Sequence, residues 1–566
     1  MDVNRLVIEH LDLWTSATEK KSSAGRGNGG AVSLYGIAKL RKLILELAVS
    51  GKLVLQDNFT QERMDAAQEA LRNATGLLVA DGKARISGKI ELDLVRSTDL
   101  ATPNWYEASG QLIFPTRSGN SKLIKGKQHS EPASNLYPGF SASGQDVWLD
   151  QWDWSGEAVI LSAVGARCGK AFPATGKWSA IANTHIAWIL PDLVSLSFAM
   201  LLLNNEDFWV RSGGAQPFIK TKQTLEAPIR IPPLAEQHRI VDKVDELMGL
   251  CDALERQAED SLKAHQTLVE TCLATLTKSQ SPVDLTQNWS RIEAHFDTLF
   301  ATEESVGALR RAVLDLALRG LLTDQSEDSL PASDLLGKLY TKNKKSASSR
   351  HRTIVSKIKE VEPPFDLPES WAWSNLGLLS SDLRYGTSKK CDRDDKLVPV
   401  LRIPNVSGGR VDLDDMKFGP LDLKEVADLR LRTNDLLIIR SNGSLDIVGS
   451  FAVVPELEGD FAFAGYLVRV RIDPDYVDPQ YIWYVSRSRF LRDQIEGPIR
   501  HGVGLKNVNS TELASLQFPI PPREEQERIV DKLDGLFKLC DQFTLRLRDQ
   551  NTINLSLADT LTSKTH

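Results

Sequence analysis

Residues 231–252 read IPPLAEQHRIVDKVDELMGLCD, and residues 520–541 read IPPREEQERIVDKLDGLFKLCD. Laid over each other at an offset of 289, the two share 15 of 22 positions, far more than common helix composition would give. The chain is a tandem duplication, and a self-similarity of this kind governs every later assignment.

Each copy ends a loop and starts a long helix. Pro232-Pro233 and Pro521-Pro522 cannot continue a strand ladder, but proline is tolerated at a helix start, where its missing N–H would have no partner. Beyond them apolar residues recur at alternating steps of four and three. The first copy sets out Ile240, Val244, Leu247, Cys251 and Leu254, and the second Ile529, Leu533, Leu536, Cys540 and Phe543. A seam of this period asks for a helical partner. The simpler alternative is one amphipathic helix lying on a globular core, but the duplication supplies a second, matching seam.

Two further landmarks repeat. Leu40–Gly51 (LRKLILELAVSG) matches Leu309–Gly320 (LRRAVLDLALRG) at an offset of 269, with Gly51 placed to end its helix, and His10-Leu11-Asp12 is echoed by His295-Phe296-Asp297. PNWYEASGQLI (103–113) corresponds to LPESWAWSNLGLL (367–379). The repeat unit is therefore helix, variable body, helix. The organisation expected is a helical region and linker over 1–100, a body over 101–231, a helical spacer and linker over 232–364, a second body over 365–520, and a helix over 521–566.

Both bodies mix short β-type runs with a helical segment. The first contains DVWLD, AVILSAVG and HIAWILP, and the second VPVLRIP, DLLIIRSNGS, SFAVVP and YLVRVRI. The expected fold is α+β: two mixed α/β domains separated by long antiparallel coiled-coil helices, with pseudo-two-fold symmetry. Between their edges the bodies are only weakly alike.

Composition is that of an ordinary globular chain, 25% charged and 42% apolar. No apolar run reaches the roughly 18 residues of a spanning helix, and MDVNRLVIEHLDLW carries acidic residues where a signal peptide would be basic, so a cytoplasmic location is expected. Five separated cysteines form neither a disulfide frame nor a metal pattern. The net charge of −7 does not by itself suggest nucleic acid, yet residues 101–230 are near neutral, with 11 basic against 10 acidic side chains. The run Lys342, Lys344, Lys345, Arg350, Arg352 reads most simply as a solvated linker.

Catalytic signals fail one after another. Gly25–Gly30 fits a dinucleotide fingerprint but follows no strand, and Gly165–Lys170 is one residue short of a P-loop, with Ala171 where a hydroxyl should hold the metal. No metal-protease, zinc or amino-methyltransferase motif occurs. Trp148, Trp152 and Trp154 suit a core as well as they suit base stacking.

A helix–body–helix duplication with antiparallel helices would hold two unlike readers apart. A helix of about 40 residues is roughly 60 Å long, more than one DNA turn of roughly 34–36 Å. Taken with the paired IPPxxEQxRIVDKxDxL segments, the LRxxxLxLAxxGxL helices and the tryptophan-bearing entries, the chain resembles the DNA-specificity (S) subunit of type I restriction–modification systems. The resemblance covers essentially the whole chain. It implies two target-recognition domains, each reading half of an asymmetric bipartite site in double-stranded DNA, and helices that set the spacing. It also implies docking of two methyltransferase (M) subunits, and of restriction-translocase (R) subunits. Such a subunit is not catalytic and binds no cofactor itself; its partners bring S-adenosylmethionine, ATP and magnesium.

Arg and Lys can contact guanine and Asn or Gln adenine, so basic and amide side chains between strands are the candidate DNA contacts. In the first body these are Arg117, Lys122, Ser141, Ser143, Arg167, Lys170, Lys220 and Lys222. In the second they are Arg384, Thr387, Lys389, Lys390, Arg402, Asn405, Arg440, Asn442, His501, Lys506 and Asn507. Two other readings compete: a specificity subunit of a methylation-only system, and a coiled-coil scaffold carrying two non-DNA ligand modules.

Overall fold

The computed structural model describes residues 3–20, 32–83, 93–125, 128–279, 281–325, 330–358, 362–499 and 506–563. The glycine run 25–30 and His501 lie outside them. The chain divides into two compact units, one of residues 1–261 with 550–566, the other of residues 262–549. Both long helices are shared between units. The first, Leu234–Thr277, begins in the first unit and ends in the second; the other, Arg523–Ser563, begins in the second and ends in the first.

In the first unit the seam residues Ile240, Val244, Leu247, Cys251 and Leu254 are all buried, in one core with Leu40, Leu43, Ile44 and Leu47 of the helix Tyr35–Val49. Each such aliphatic side chain contributes roughly 1.5–3 kcal/mol when taken out of water. Arg41 closes the edge of this contact on Asp252 (2.6 Å) and Glu255 (2.5 Å). Further along, the tail of the second long helix joins the same unit. Asn551 exchanges hydrogen bonds with the backbone of Thr18, Asp559 meets Lys39 and Tyr35, and Ala558 is buried in the core.

The second unit repeats the scheme. Ile529, Leu533 and Cys540 are buried and Leu536 and Phe543 half-buried against Leu309, Ala312, Val313 and Leu316 of Glu303–Leu318, with Arg310 on Asp541 (2.5 Å). The tail of the first long helix contributes Val269, Leu273 and Leu276, and His265 meets the carbonyl of Thr298. In each unit the short repeat helix carries an apolar stripe of its own, which lies in the same core as the seam of the long helix.

The two bodies share one strand order. In the first, a four-stranded antiparallel sheet runs Ala171–Ala174, Ala158–Ser162, Thr184–Trp188, Thr116–Ser118; in the second, Phe451–Val453, Leu436–Ile439, Leu467–Ile472, Ser380–Tyr385. The inner strands AVILS and LLII are buried at every position, which is why they read as continuous apolar runs and not as alternation. Each body has a second sheet, four-stranded in the first and three-stranded in the second, with a parallel pair in both: Tyr137–Ser141 with Lys177–Ala180, and Val398–Leu401 with Ala462–Phe463. Each body is closed by a ladder between its first and last strands, Tyr106–Ser109 on Pro228–Ile231 and Ala372–Asn375 on Gln517–Ile520.

The EQ dipeptide of each long helix anchors this closure. Glu236 and Gln237 are fully buried, as are Glu525 and Gln526 to within 1%. Glu236 accepts from the Trp105 indole (2.7 Å) and the Asp57 amide (2.8 Å). Glu525 accepts from Trp371 (3.0 Å), Thr323 and Gln325. The two glutamines do equivalent work. Gln237 accepts from Ser195 N and donates to the carbonyls of Leu193 and Pro232, while Gln526 accepts from Asp478 N and donates to those of Tyr476 and Pro521. Entry tryptophan, body and long helix are thereby locked together in each unit.

Candidate nucleic-acid interface

Antiparallel order brings three loops of each body to one edge of the main sheet. In the first body Ser118 pairs with His185, Ser162 with Thr184, and Leu161 with Ala171, so the loops 119–124, 163–170 and 181–183 emerge together. Gly119 N donates to Thr184 O and Ala163 N to Asn183 O, both at 2.9 Å. The second body does the same. Tyr385 pairs with Val468, Ile439 with Leu467 and Ile438 with Phe451, and Arg440 N donates to Tyr466 O at 2.9 Å.

One glycine in each body makes this edge possible. A Cβ on Gly119 would stand 2.2 Å from Ile181 O, and one on Gly386 would stand 2.1 Å from Phe463 O, so neither position admits a side chain. They sit in Arg117-Ser118-Gly119-Asn120 and Arg384-Tyr385-Gly386-Thr387. This Arg-x-Gly-polar repeat was present in the sequence and is the signal by which the edge could have been found there.

In the first body the edge gathers Lys122, Arg167 and Lys170, all exposed. The hairpin Arg211–Ser212 with Phe218–Ile219 joins them, tied by Gly165 N to Pro217 O and Ile219 N to Ala163 O, and brings exposed Lys220 alongside. Gly169 lies against Trp209 and the Arg211 guanidinium, a cation the sequence reading passed over. Among the described residues, Lys122, Arg167, Lys170 and Lys220 have no carboxylate within ion-pair distance. Gly165–Lys170 is a tight link between two antiparallel strands, not the strand-to-helix turn of a P-loop.

The remaining first-body candidates are placed differently. Arg117 stacks on Trp154 (4.7 Å) and donates to Gly82 O, and Trp154 in turn packs on the core residue Trp188. Lys222 is exposed on the short helix Thr221–Glu226. Ser143 is exposed in the turn after Ser141, whose hydroxyl accepts from Ser143 N. The expectation for Ser141 is corrected, because its side chain is buried in making that turn. Trp148 is half-buried, and Trp152, 40% exposed, carries the Lys177 ammonium on its ring.

In the second body three of the candidate cations are already paired with carboxylates. Arg384 pairs with Asp428 (2.8 Å) and lies 3.7 Å from Asp382, Lys389 pairs with Glu425 (2.6 Å), and Arg402 with Asp415 (2.9 Å). Asn405 and Thr387 are corrected to internal roles. Asn405 is 2% exposed and spends its amide on Arg402 N and the Asp412 and Asp415 carbonyls. Thr387 is buried and caps Lys389 N. Lys390 is exposed.

Arg440, Asn442 and Asn507 are brought together. Ser441-Asn442 pairs with Lys506-Asn507, Arg440 Nε donates to Asn507 Oδ1 (3.2 Å), and Asn442 Oδ1 accepts from Ser444 N. Beside them stands Tyr385, which the sequence reading missed. Its hydroxyl accepts from Ser510 N at 2.8 Å, and its ring faces the Arg440 guanidinium at 4.3 Å. Among the described residues no group of three or more metal-ligating side chains forms, and no helix is long and apolar enough to cross a membrane.

Residues 149–264 and 384–550 match the family model described as the type I restriction modification DNA specificity domain. The chain is 30% identical to the type I restriction enzyme EcoAI specificity subunit of Escherichia coli, over 99% of both chains, and 28% identical to the EcoEI specificity subunit of Escherichia coli, also over 99% of both. Among solved structures, the HsdS subunit from Thermoanaerobacter tengcongensis is similar at 16% identity and a TM-score of 0.39, covering 82% of this chain and 96% of that one.

Proposed function

This chain belongs to the type I restriction modification DNA specificity family, and from that premise we propose that each of its two bodies reads one half of an asymmetric bipartite site in double-stranded DNA. It is a specificity subunit of a type I restriction–modification system. In this reading the helical segments set the spacing between half-sites and dock two methyltransferase subunits, with restriction-translocase subunits joining that assembly. The chain itself is non-catalytic. S-adenosylmethionine, ATP and magnesium serve adenine methylation and ATP-dependent restriction in the partners, in the cytoplasm.

One observation carries the proposal. The loop edges of the two bodies have the same backbone frame and different side chains. Positions equivalent in strand register hold Ser118 and Ala163 in the first body but Tyr385 and Arg440 in the second. A common frame whose side chains differ suits two readers of unlike half-sites, since each edge then presents its own set of groups to the duplex, some to its backbone and some to base edges.

The test is to map methyladenine across the host genome with and without this gene, then again after residues 101–231 are exchanged for those of a relative. One half of the methylated word should change and the other persist. An unchanged word, or the loss of both halves, counts against the assignment of one half to each body. Methylation without restriction of unmodified DNA would identify a methylation-only system.

A further inference from the structure

The segment between the repeats ends in a short helix, Ser349–Val355, whose capping hydroxyl on Ser348 accepts from His351 N. His351 and Ile354 pin it to the second body, at 3% and 7% exposure. That docking puts the exposed Arg350 over the same tyrosine that Arg440 covers, with its guanidinium 5.3 Å from the centroid of the Tyr385 ring. Two guanidiniums thus share one aromatic ring at the loop edge of the sheet, and Ser510 N holds that ring through its hydroxyl.

Two like charges on one ring call for a counter-ion, and within the described residues neither has a carboxylate at ion-pair distance. Their neighbours do. Arg384, Lys389, Arg402, Arg430, Arg469, Arg471 and Arg492 each pair with an acidic side chain of the same unit. Stacking occupies the face of a guanidinium and leaves its N–H edge available. Among the described residues Arg440 spends only Nε, on Asn507, and both of its terminal nitrogens remain to donate.

We propose that Arg350 and Arg440, spaced by Tyr385, form a clamp for DNA backbone phosphates, which makes the inter-repeat helix Ser349–Val355 part of the second reading head. This rests on the reading of the bodies as DNA readers given above. The clamp positions the second body on the duplex without sensing sequence, because phosphates carry no base information. Arg350 was read from the sequence as part of a solvated linker; the ring it shares with Arg440 assigns it to the edge.

The experiment uses the full chain assembled with its methyltransferase partners. Binding is measured by anisotropy on a duplex carrying the mapped site and on one with the second half-site scrambled, from about 50 to about 200 mM salt. Arg350→Ala should weaken binding to both duplexes by the same factor and reduce the slope of log affinity against log salt by about 1. The salt series should then weaken this variant about fourfold less than the parent. Arg440→Ala should do the same, and Arg350→Lys should recover most of the slope, since a point charge still reaches a phosphate. An Arg350→Ala protein with parental melting and an unchanged slope overturns the clamp, as does a loss confined to the intact site. A parent that prefers neither duplex overturns the function proposed above, while the Arg350 slope still decides the clamp. A parent that binds no DNA overturns both.

Discussion

The indole nitrogen of Trp105 lies 2.7 Å from Oε1 of the fully buried Glu236, and Trp371 repeats the contact on Glu525 at 3.0 Å. In each unit the first tryptophan of the body thus holds the first turn of the long helix that follows it. Burial pushes the Glu236 carboxyl above its ordinary range, against the opposing pull of its two N–H donors.

Trp105→Phe keeps most of the packing and removes the donor. The stranded acceptor should cost about 1–3 kcal/mol, more while the carboxyl is charged, and Trp371→Phe should cost a similar amount. Urea unfolding of the full chain checks this, with the midpoint falling and the slope unchanged. A phenylalanine variant as stable as its parent would remove the contact from the list of anchors.

Gly51 and Gly320 end the two short repeat helices at φ +71° and +69°. Lys52 N donates back to Leu47 O and Leu321 N to Leu316 O, which are helix-closing bonds that need the left-handed residue. A Cβ would also stand 2.7 Å from Thr102 Cγ2 in the first case and 2.6 Å from Pro368 Cγ in the second. Gly51→Ala and Gly320→Ala should each destabilise by about 1–3 kcal/mol, read as a lower thermal midpoint.

Burial lowers the pKa of His351, overriding the opposing effects of Asp382 and the nearby carbonyls. The folded chain keeps the ring neutral where the unfolded chain, with an ordinary value near 6.5, takes up a proton. The associated stability is present above about pH 6.5 and is lost as pH falls through that value toward the depressed one. His351→Leu should therefore flatten the acid side of the stability profile relative to the parent. Urea midpoints at about pH 7.5 and about pH 5.5 compare the two slopes.

Arg384→Ala should leave the salt dependence of DNA binding unchanged, because its charge is already spent on Asp428 and Asp382. The same measurement on Arg440→Ala should show the shallower slope. Equal slopes for these two variants would mean that internal ion pairing does not decide which cations meet DNA.

Arg167→Ala and Lys170→Ala should weaken binding of the intact site yet leave discrimination at the second half-site as it was. Competition with duplexes altered in one half at a time measures this. Loss of discrimination at the second half would contradict the separate reading assigned to each body.

The duplication, the long helices, the closing glycines and the tryptophan entries were all legible in the sequence, because each is a local pattern: a 3.5-residue period, a proline pair, a residue that must adopt positive φ. That each seam shares its core with the stripe of the short helices Tyr35–Val49 and Glu303–Leu318 was not, since tertiary packing decides which apolar stripes are buried together. Tertiary structure alone selected among the candidate contacts. It withdrew Asn405, Thr387 and Ser141 into the fold, spent Arg384, Lys389 and Arg402 on Asp428, Glu425 and Asp415, and left Arg440 beside Tyr385 and Arg350 without a carboxylate among the described residues. Coulomb energy depends on separation in space and not along the chain, so a cation's availability is settled only when the strands and loops have brought its neighbours together.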